Sequence, residues 1–330
     1  MTAPAGHAPD PADADLADWP SDLLCVADLP CLTLAALLAR AQEMKRDPAR
    51  WRGAFAAETL VCFFDPRAPA ESAWTATAAH RLGMLPVVLP RDELEGGEGH
   101  PIEDAARAFS TTAAALFAQS LAHRVLRRVA AAATVPVING RCDEHSPCQA
   151  LADLLTLREH LGRLAGAALA FVGDGRDATV HSLMEAGALS EMDVRIACPP
   201  ECRPSRTIAI GAETFAAMHG GRLTVTSDVE AAVAGADAVY TKAWALPREE
   251  ERADDVARLR PYRVDPTLMK LAKPGALFMH SLPARRGEEV ATPVIDGRRS
   301  VVWEQAANRV PAQQAAIYSL VTARRAREAA

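Results

Sequence analysis

The chain has 330 residues, enough for two domains of ordinary size, and 49% of them are hydrophobic, enough for buried cores. Its 36 Lys and Arg against 42 Asp and Glu leave a formal charge of −6, which excludes a surface organised around nucleic-acid phosphates but leaves room for one local anion site. The longest apolar stretches, such as 113–117 and 129–137, fall well short of the roughly 20 residues that span a bilayer, so no membrane partner is expected.

Residues 1–20, rich in Ala, Pro and Asp, predict a disordered leader. They lack the basic segment and apolar run of a secretory signal, so the cytoplasm is the expected location. Helical spacing of apolar residues predicts a helix over 32–45. TLVCFF at 59–64 reads as a short buried strand, followed by a loop containing two prolines and a helix over 72–82 closed by Gly83. A strand over 85–89, a glycine-rich loop at 96–99 and a helix from Ile102 come next. Strands at 114–117 and 135–138 enclose another helix. Alternating strands and helices indicate a parallel α/β sheet.

A second such unit follows. A helix is predicted over 149–161, a strand over 168–172, and a helix over 180–188 after the turn Gly173-Asp174-Gly175-Arg176-Asp177. Further strands are expected at 194–197, 223–226, 238–240 and 276–279. The last helix, 311–328, has no strand after it and is expected to pack back on the first half. The predicted fold is α/β, with two doubly wound parallel-sheet domains at 21–149 and 150–310 and a returning C-terminal helix in 311–330.

Parallel sheets place ligands where strands end, so 65–72, 139–149, 173–177, 241–246 and 280–287 are the segments of interest. The Gly173 turn fails to complete G-x-G-x-x-G because Ala178 stands at the third glycine, which leaves a nicotinamide site weakly supported, and no cofactor is expected. His280 at a strand end, beside Ser281, can polarise a carbonyl or shuttle a proton, though a lone histidine is more often structural. No G-x-S-x-G marks a serine hydrolase. The seven cysteines form no C-x-x-C pair, so neither a disulfide framework nor a zinc ribbon is indicated. Cys142 and Cys148 flank His145, but C-x2-H-x2-C fits no common zinc spacing, and no metal is expected.

Several segments resemble one family in order and spacing across about 25–325: AAHRLG at 78–83, NGRCDEHSPCQALADLLTLREH at 139–160, FVGDGRDATVHSLMEAGALSEMDVRIACP at 171–199, VYTKAW at 239–244, HSLPARRGEEV at 280–290 and VVWEQAANRVPAQQA at 301–315. The chain resembles the aspartate/ornithine carbamoyltransferases, most of all the ornithine enzymes. The resemblance implies an N-terminal domain for carbamoyl phosphate, a C-terminal domain for the amino acid, and a trimer with active sites at subunit interfaces. It implies a small anionic or amino-acid ligand, and a homotrimer or a trimer mixed with a paralogue.

The matching positions also depart from the family pattern. Its phosphate loop Ser-Thr-Arg-Thr is here Ala68, Pro69, Ala70 and Glu71, so a carboxylate stands where hydroxyls and a guanidinium would bind a phosphate. Gln119 replaces an arginine, Ser146 the histidine of His-Pro-x-Gln, Asp177 an asparagine, Lys242 an aspartate and Ser281 a cysteine, and Ser-Met-Gly is lost near Leu246-Pro247-Arg248. Gln149, His280, Leu282, Pro283 and Arg309 are kept. By the resemblance, His280, Ser281 and Arg309 are the catalytic candidates, and Arg67, Gln149, Asp177, Lys242 and Leu282 the substrate-binding ones. The expected function is transfer of a carbamoyl or related acyl group to an amino-acid-like acceptor, and the substitutions argue against ornithine carbamoylation itself. The alternative is a non-catalytic ligand sensor or a partner subunit of an active carbamoyltransferase.

Overall fold

The computed structural model describes residues 19–66, 69–95, 101–244 and 252–330, and these form two compact units. All but the last two residues of the predicted leader, and the glycine-rich loop at 96–99, lie outside the described residues.

The first unit comprises the described parts of 1–24, 28–140 and 310–330. In chain order it contains α1 (Cys31–Arg46), β1 (Thr59–Phe64), α2 (Pro69–Arg81), β2 (Leu85–Pro90), α3 (Asp92–Glu95), α4 (Ile102–Ser110), β3 (Ala115–Leu121), α5 (His123–Ala132) and most of β4 (Val137–Cys142). The sheet order is β2-β1-β3-β4. β1 is central, with Cys62 opposite both Val88 and Phe117 in parallel register. Its near-continuous apolar sequence follows from having both faces covered by helices, as a parallel strand requires. α2 begins at Pro69, earlier than the predicted 72. A proline is tolerated in a first turn, where its missing N–H has no partner to lose, and Glu71 complements the positive helix end.

The second unit comprises 25–27 and 141–309. It contains α6 (Pro147–Leu161), β5 (Ala168–Val172), α7 (Ala178–Leu189), β6 (Asp193–Ala197), α8 (Arg206–His219), β7 (Arg222–Thr226), α9 (Val229–Val233), β8 (Ala238–Thr241), α10 (Arg252–Leu259), α11 (Pro266–Met269), β9 (Leu277–His280), α12 (Thr292–Ile295) and α13 (Val302–Ala307). Its five strands are ordered β7-β6-β5-β8-β9 and pair in parallel, with Phe171 opposite Ile196 and Tyr240, and Tyr240 opposite Met279. The winding therefore reverses between β5 and β8, the place where such sheets bind ligands. α8 was not read in the sequence because the face it buries is made of Ala212 and Ala216, which give little hydrophobic contrast.

The final helix, α14 (Arg309–Ala329), starts two residues before the predicted 311 because Pro311 also sits in a first turn. From Val310 onward it belongs to the first unit, as the sequence led one to expect. There Arg40 donates to Ser319 Oγ at 2.5 Å and lies 5.2 Å from the centre of the Tyr318 ring, which is nearly perpendicular to the Trp51 ring with centroids 4.9 Å apart. Among the described residues no helix is long and apolar enough to cross a membrane.

Candidate functional site

The switch point of the second sheet is built by the turn after β5 and the end of β8. Gly173 has φ of +142°, a conformation that favours glycine, and a Cβ on Gly175 would stand 2.6 Å from the Cys202 carbonyl oxygen. Arg176 folds back on Asp174, its Nε and Nη2 donating to the two carboxylate oxygens at 2.9 Å each. Asp177 caps α7 by accepting from the Thr179 N–H at 2.8 Å. Its other oxygen accepts from Lys242 Nζ at 2.5 Å and from Arg141 Nη2 at 3.0 Å. Burial works to raise the Asp177 pKa, but the charges of Lys242 and Arg141, with the Lys242 and Thr179 hydrogen bonds, outweigh it and hold the carboxyl well below the usual range. The helix end that elsewhere receives a ligand anion is thus filled by the chain's own carboxylate.

His280 ends β9 and is buried. Its Nε2 lies 3.1 Å from Glu289 Oε1, which also accepts from the Arg285 N–H at 2.6 Å. Burial lowers the His280 pKa, Glu289 offsets part of that, and the Lys242 charge adds to it. The neutral ring that satisfies Glu289 carries its proton on Nε2, leaving the buried Nδ1 as a lone-pair acceptor with no hydrogen-bond partner among the described residues. Of the two roles the sequence offered His280, polarising a carbonyl or shuttling a proton, an acceptor nitrogen is the form suited to taking up a proton.

A buried polar chain links His280 to the other retained residues. The His280 N–H donates to Gln305 Oε1 at 2.9 Å, and Gln305 Nε2 donates to Asp153 Oδ1 at 2.6 Å. Gln149 Nε2 donates to the same Asp153 oxygen at 2.6 Å, Tyr240 donates to Asp153 Oδ2 at 3.1 Å, and Arg309 Nη1 donates to Gln149 Oε1. Burial pushes the Asp153 carboxyl up to about 6 against the lowering effect of its three donors and Arg309. Ser281 is buried beside His280, and Leu282, partly buried, packs against an apolar core of the second unit.

The comparisons with known proteins agree with this architecture. The family model for the aspartate/ornithine carbamoyltransferase carbamoyl-phosphate-binding domain matches residues 21–159, and that for the Asp/Orn-binding domain matches 165–320. An ornithine carbamoyltransferase of Parafrankia sp. is 40% identical over 298 residues, covering 89% of this chain and 94% of its own. One from Methanothermobacter thermautotrophicus is 42% identical over 265 residues, covering 80% of this chain and 87% of its own. The solved ornithine carbamoyltransferase of Pyrococcus furiosus superposes with a TM-score of 0.86 at 37% identity, covering 89% of this chain and 95% of that one. The chain belongs to the aspartate/ornithine carbamoyltransferase family.

Within this carbamoyltransferase-family chain the second unit brings together two groups of the predicted residues, Asp177 with Lys242, and Gln149 with Arg309, the latter tied to the His280 backbone. Arg67, Ala68 and the segment 246–248 lie outside the described residues. In the first unit Gln119 is buried, and its Oε1 has no hydrogen-bond partner among the described residues. Sequence reasoning missed Arg141, Asp153, Tyr240, Glu289 and Gln305. Asp153 stands four residues after Gln149 on α6, a spacing that put it within reach. Glu289 and Gln305 lie inside the segments that carried the resemblance, but nothing in their spacing marked them as partners of His280.

Proposed function

We propose that the chain transfers a carbamoyl or related acyl group to an amino-acid-like acceptor, with a donor and acceptor different from those of ornithine carbamoylation. The observation that carries this reading is Asp177 set between Lys242 and Arg141. One carboxylate and two cations give this trio a net charge of +1, which attracts an anionic group on the acceptor and repels the ammonium of ornithine. Glu71 in the first turn of α2 likewise disfavours a phosphate dianion in the donor loop.

The reaction follows from the groups present. The acceptor amine nitrogen attacks the donor carbonyl carbon, the leaving group departs with the bonding electron pair, and His280 Nδ1 takes the proton that the nitrogen sheds. Arg309 and Gln149 hold the oxygen-rich end of the ligand, and Ser281 and the Leu282 carbonyl line the site.

Product formation is measured by mass spectrometry with carbamoyl phosphate and phosphate-free carbamoyl and acyl donors, against aspartate, glutamate, ornithine and lysine. A carboxylate-bearing acceptor is expected to be used, with Lys242→Met raising its KM by roughly 10- to 100-fold. His280→Gln is expected to cut kcat by about 100-fold or more. Preference for ornithine, or a KM untouched by Lys242→Met, would contradict the reading.

The second reading, a ligand sensor or partner subunit, draws support from Gln149 and Arg309 being bonded to each other. Its signature is a rise in melting temperature on adding an acceptor, with no product from any donor. The proposed assembly is a homotrimer, or a trimer shared with a paralogue, in the cytoplasm. Light scattering of the purified chain reads the first and co-purification from the native cell the second.

A further inference from the structure

We infer that Cys25, His145 and Glu185 form a divalent transition-metal site, with zinc as the fitting ion. All three belong to the second unit and are buried, 9%, 6% and 7% exposed respectively. One sulfur, one ring nitrogen and one carboxylate oxygen lie within 4.8 Å of one another. His145 Nδ1 stands 3.3 Å from Glu185 Oε1. Bond lengths of about 2.0–2.3 Å to a tetrahedral zinc put ligand atoms roughly 3.3–3.8 Å apart, so this pair already has the spacing and the sulfur closes by no more than about 1.5 Å.

Two further observations point to a ligand. Glu185 Oε2 is buried with no hydrogen-bond partner among the described residues, and an orphaned carboxylate oxygen is costly there. The donor set mixes sulfur, imidazole and carboxylate, which suits a borderline-soft ion and is poorly suited to calcium or magnesium. Two negative ligands, thiolate and carboxylate, match a doubly charged cation. The sequence hid this site because its members are far apart in the chain; His145 was visible, but the cysteines flanking it are not its partners in this cluster.

The ion ties three segments together: the turn that begins at Cys25, the loop leading into α6, and α7. α6 carries Gln149 and α7 is capped by Asp177, so occupancy stiffens the elements that hold both.

The full-length chain, stripped with a chelator, is titrated with Co2+ and then Zn2+. One Co2+ per chain is expected, with a thiolate-to-cobalt charge-transfer absorption that Zn2+ displaces, and a higher melting temperature. Cys25→Ser removes the absorption, Glu185→Gln weakens Co2+ binding by at least about tenfold, and Cys31→Ser changes nothing. Circular dichroism of the metal-free variants checks their fold. If Cys25→Ser does not fold, Glu185→Gln decides alone. No charge-transfer absorption in the wild type, its persistence in folded Cys25→Ser, its loss in Cys31→Ser, or unchanged affinity in Glu185→Gln overturns the site.

Discussion

At the scale of single residues, Asp153 is the hub on which the retained side chains depend. It accepts from Gln149, Gln305 and Tyr240 and is fully buried, and burial raises its pKa to about 6. A raised carboxyl pKa means that the folded state holds the proton more tightly than the unfolded one. Stability attributable to this group is therefore highest below about pH 4, falls as pH rises toward 6, and stays reduced above that. The size of the loss is on the order of 3 kcal/mol. The urea-unfolding free energy of the wild type minus that of Asp153→Asn is expected to drop by about this amount between pH 4 and pH 7. A difference that is flat or rises over that range would contradict the assignment. Asp177 has the opposite sign, since its pKa is held down. Its contribution is complete above about pH 4–5 and is lost only on further acidification.

At the scale of elements, the parallel strands were legible because each is a short apolar run bounded by turn residues. TLVCFF and ALAFV read as strands from composition alone, and both occupy the centre of their sheets. Helix starts were read late at Pro69 and Arg309, where a first-turn proline masks the boundary. α7 illustrates what periodicity does not carry. Every one of its residues is buried, so it has no polar face to mark its phase. Its close approach to β6 depends on Gly187, where a Cβ would stand 2.2 Å from Val194 Cγ2. Val194 is buried and β-branched, so it has little freedom to move aside. Alanine favours a helix by at most about 1 kcal/mol over glycine, while overpacking costs about 1–3 kcal/mol. Gly187→Ala is therefore expected to lower the melting temperature by a few degrees, and an unchanged or higher value would show that the interface has slack.

At the scale of the whole molecule, two parallel sheets, each reversing its strand order beside β1 or β5, and a final helix returning to the first unit, follow from the alternation of strands and helices. The chemistry was legible in part. Gln149, Asp177, Lys242, His280 and Arg309 stood out because they sit at strand ends or in segments shared with a family. The link from Gln149 and Arg309 to His280 was not legible, because it runs through Asp153 and Gln305, 152 residues apart, and the partner of the His280 ring, Glu289, lies nine residues from it. The buried carboxylate that faces His280 Nε2 became visible only with Glu289 in place.

The central claim is that the charge pattern of Glu71, Lys242 and Asp177 turns this family member away from ornithine carbamoylation. Citrulline formation from carbamoyl phosphate and ornithine by the purified full-length chain tests it most directly. No citrulline above the enzyme-free blank is predicted, and saturable citrulline formation would contradict the account.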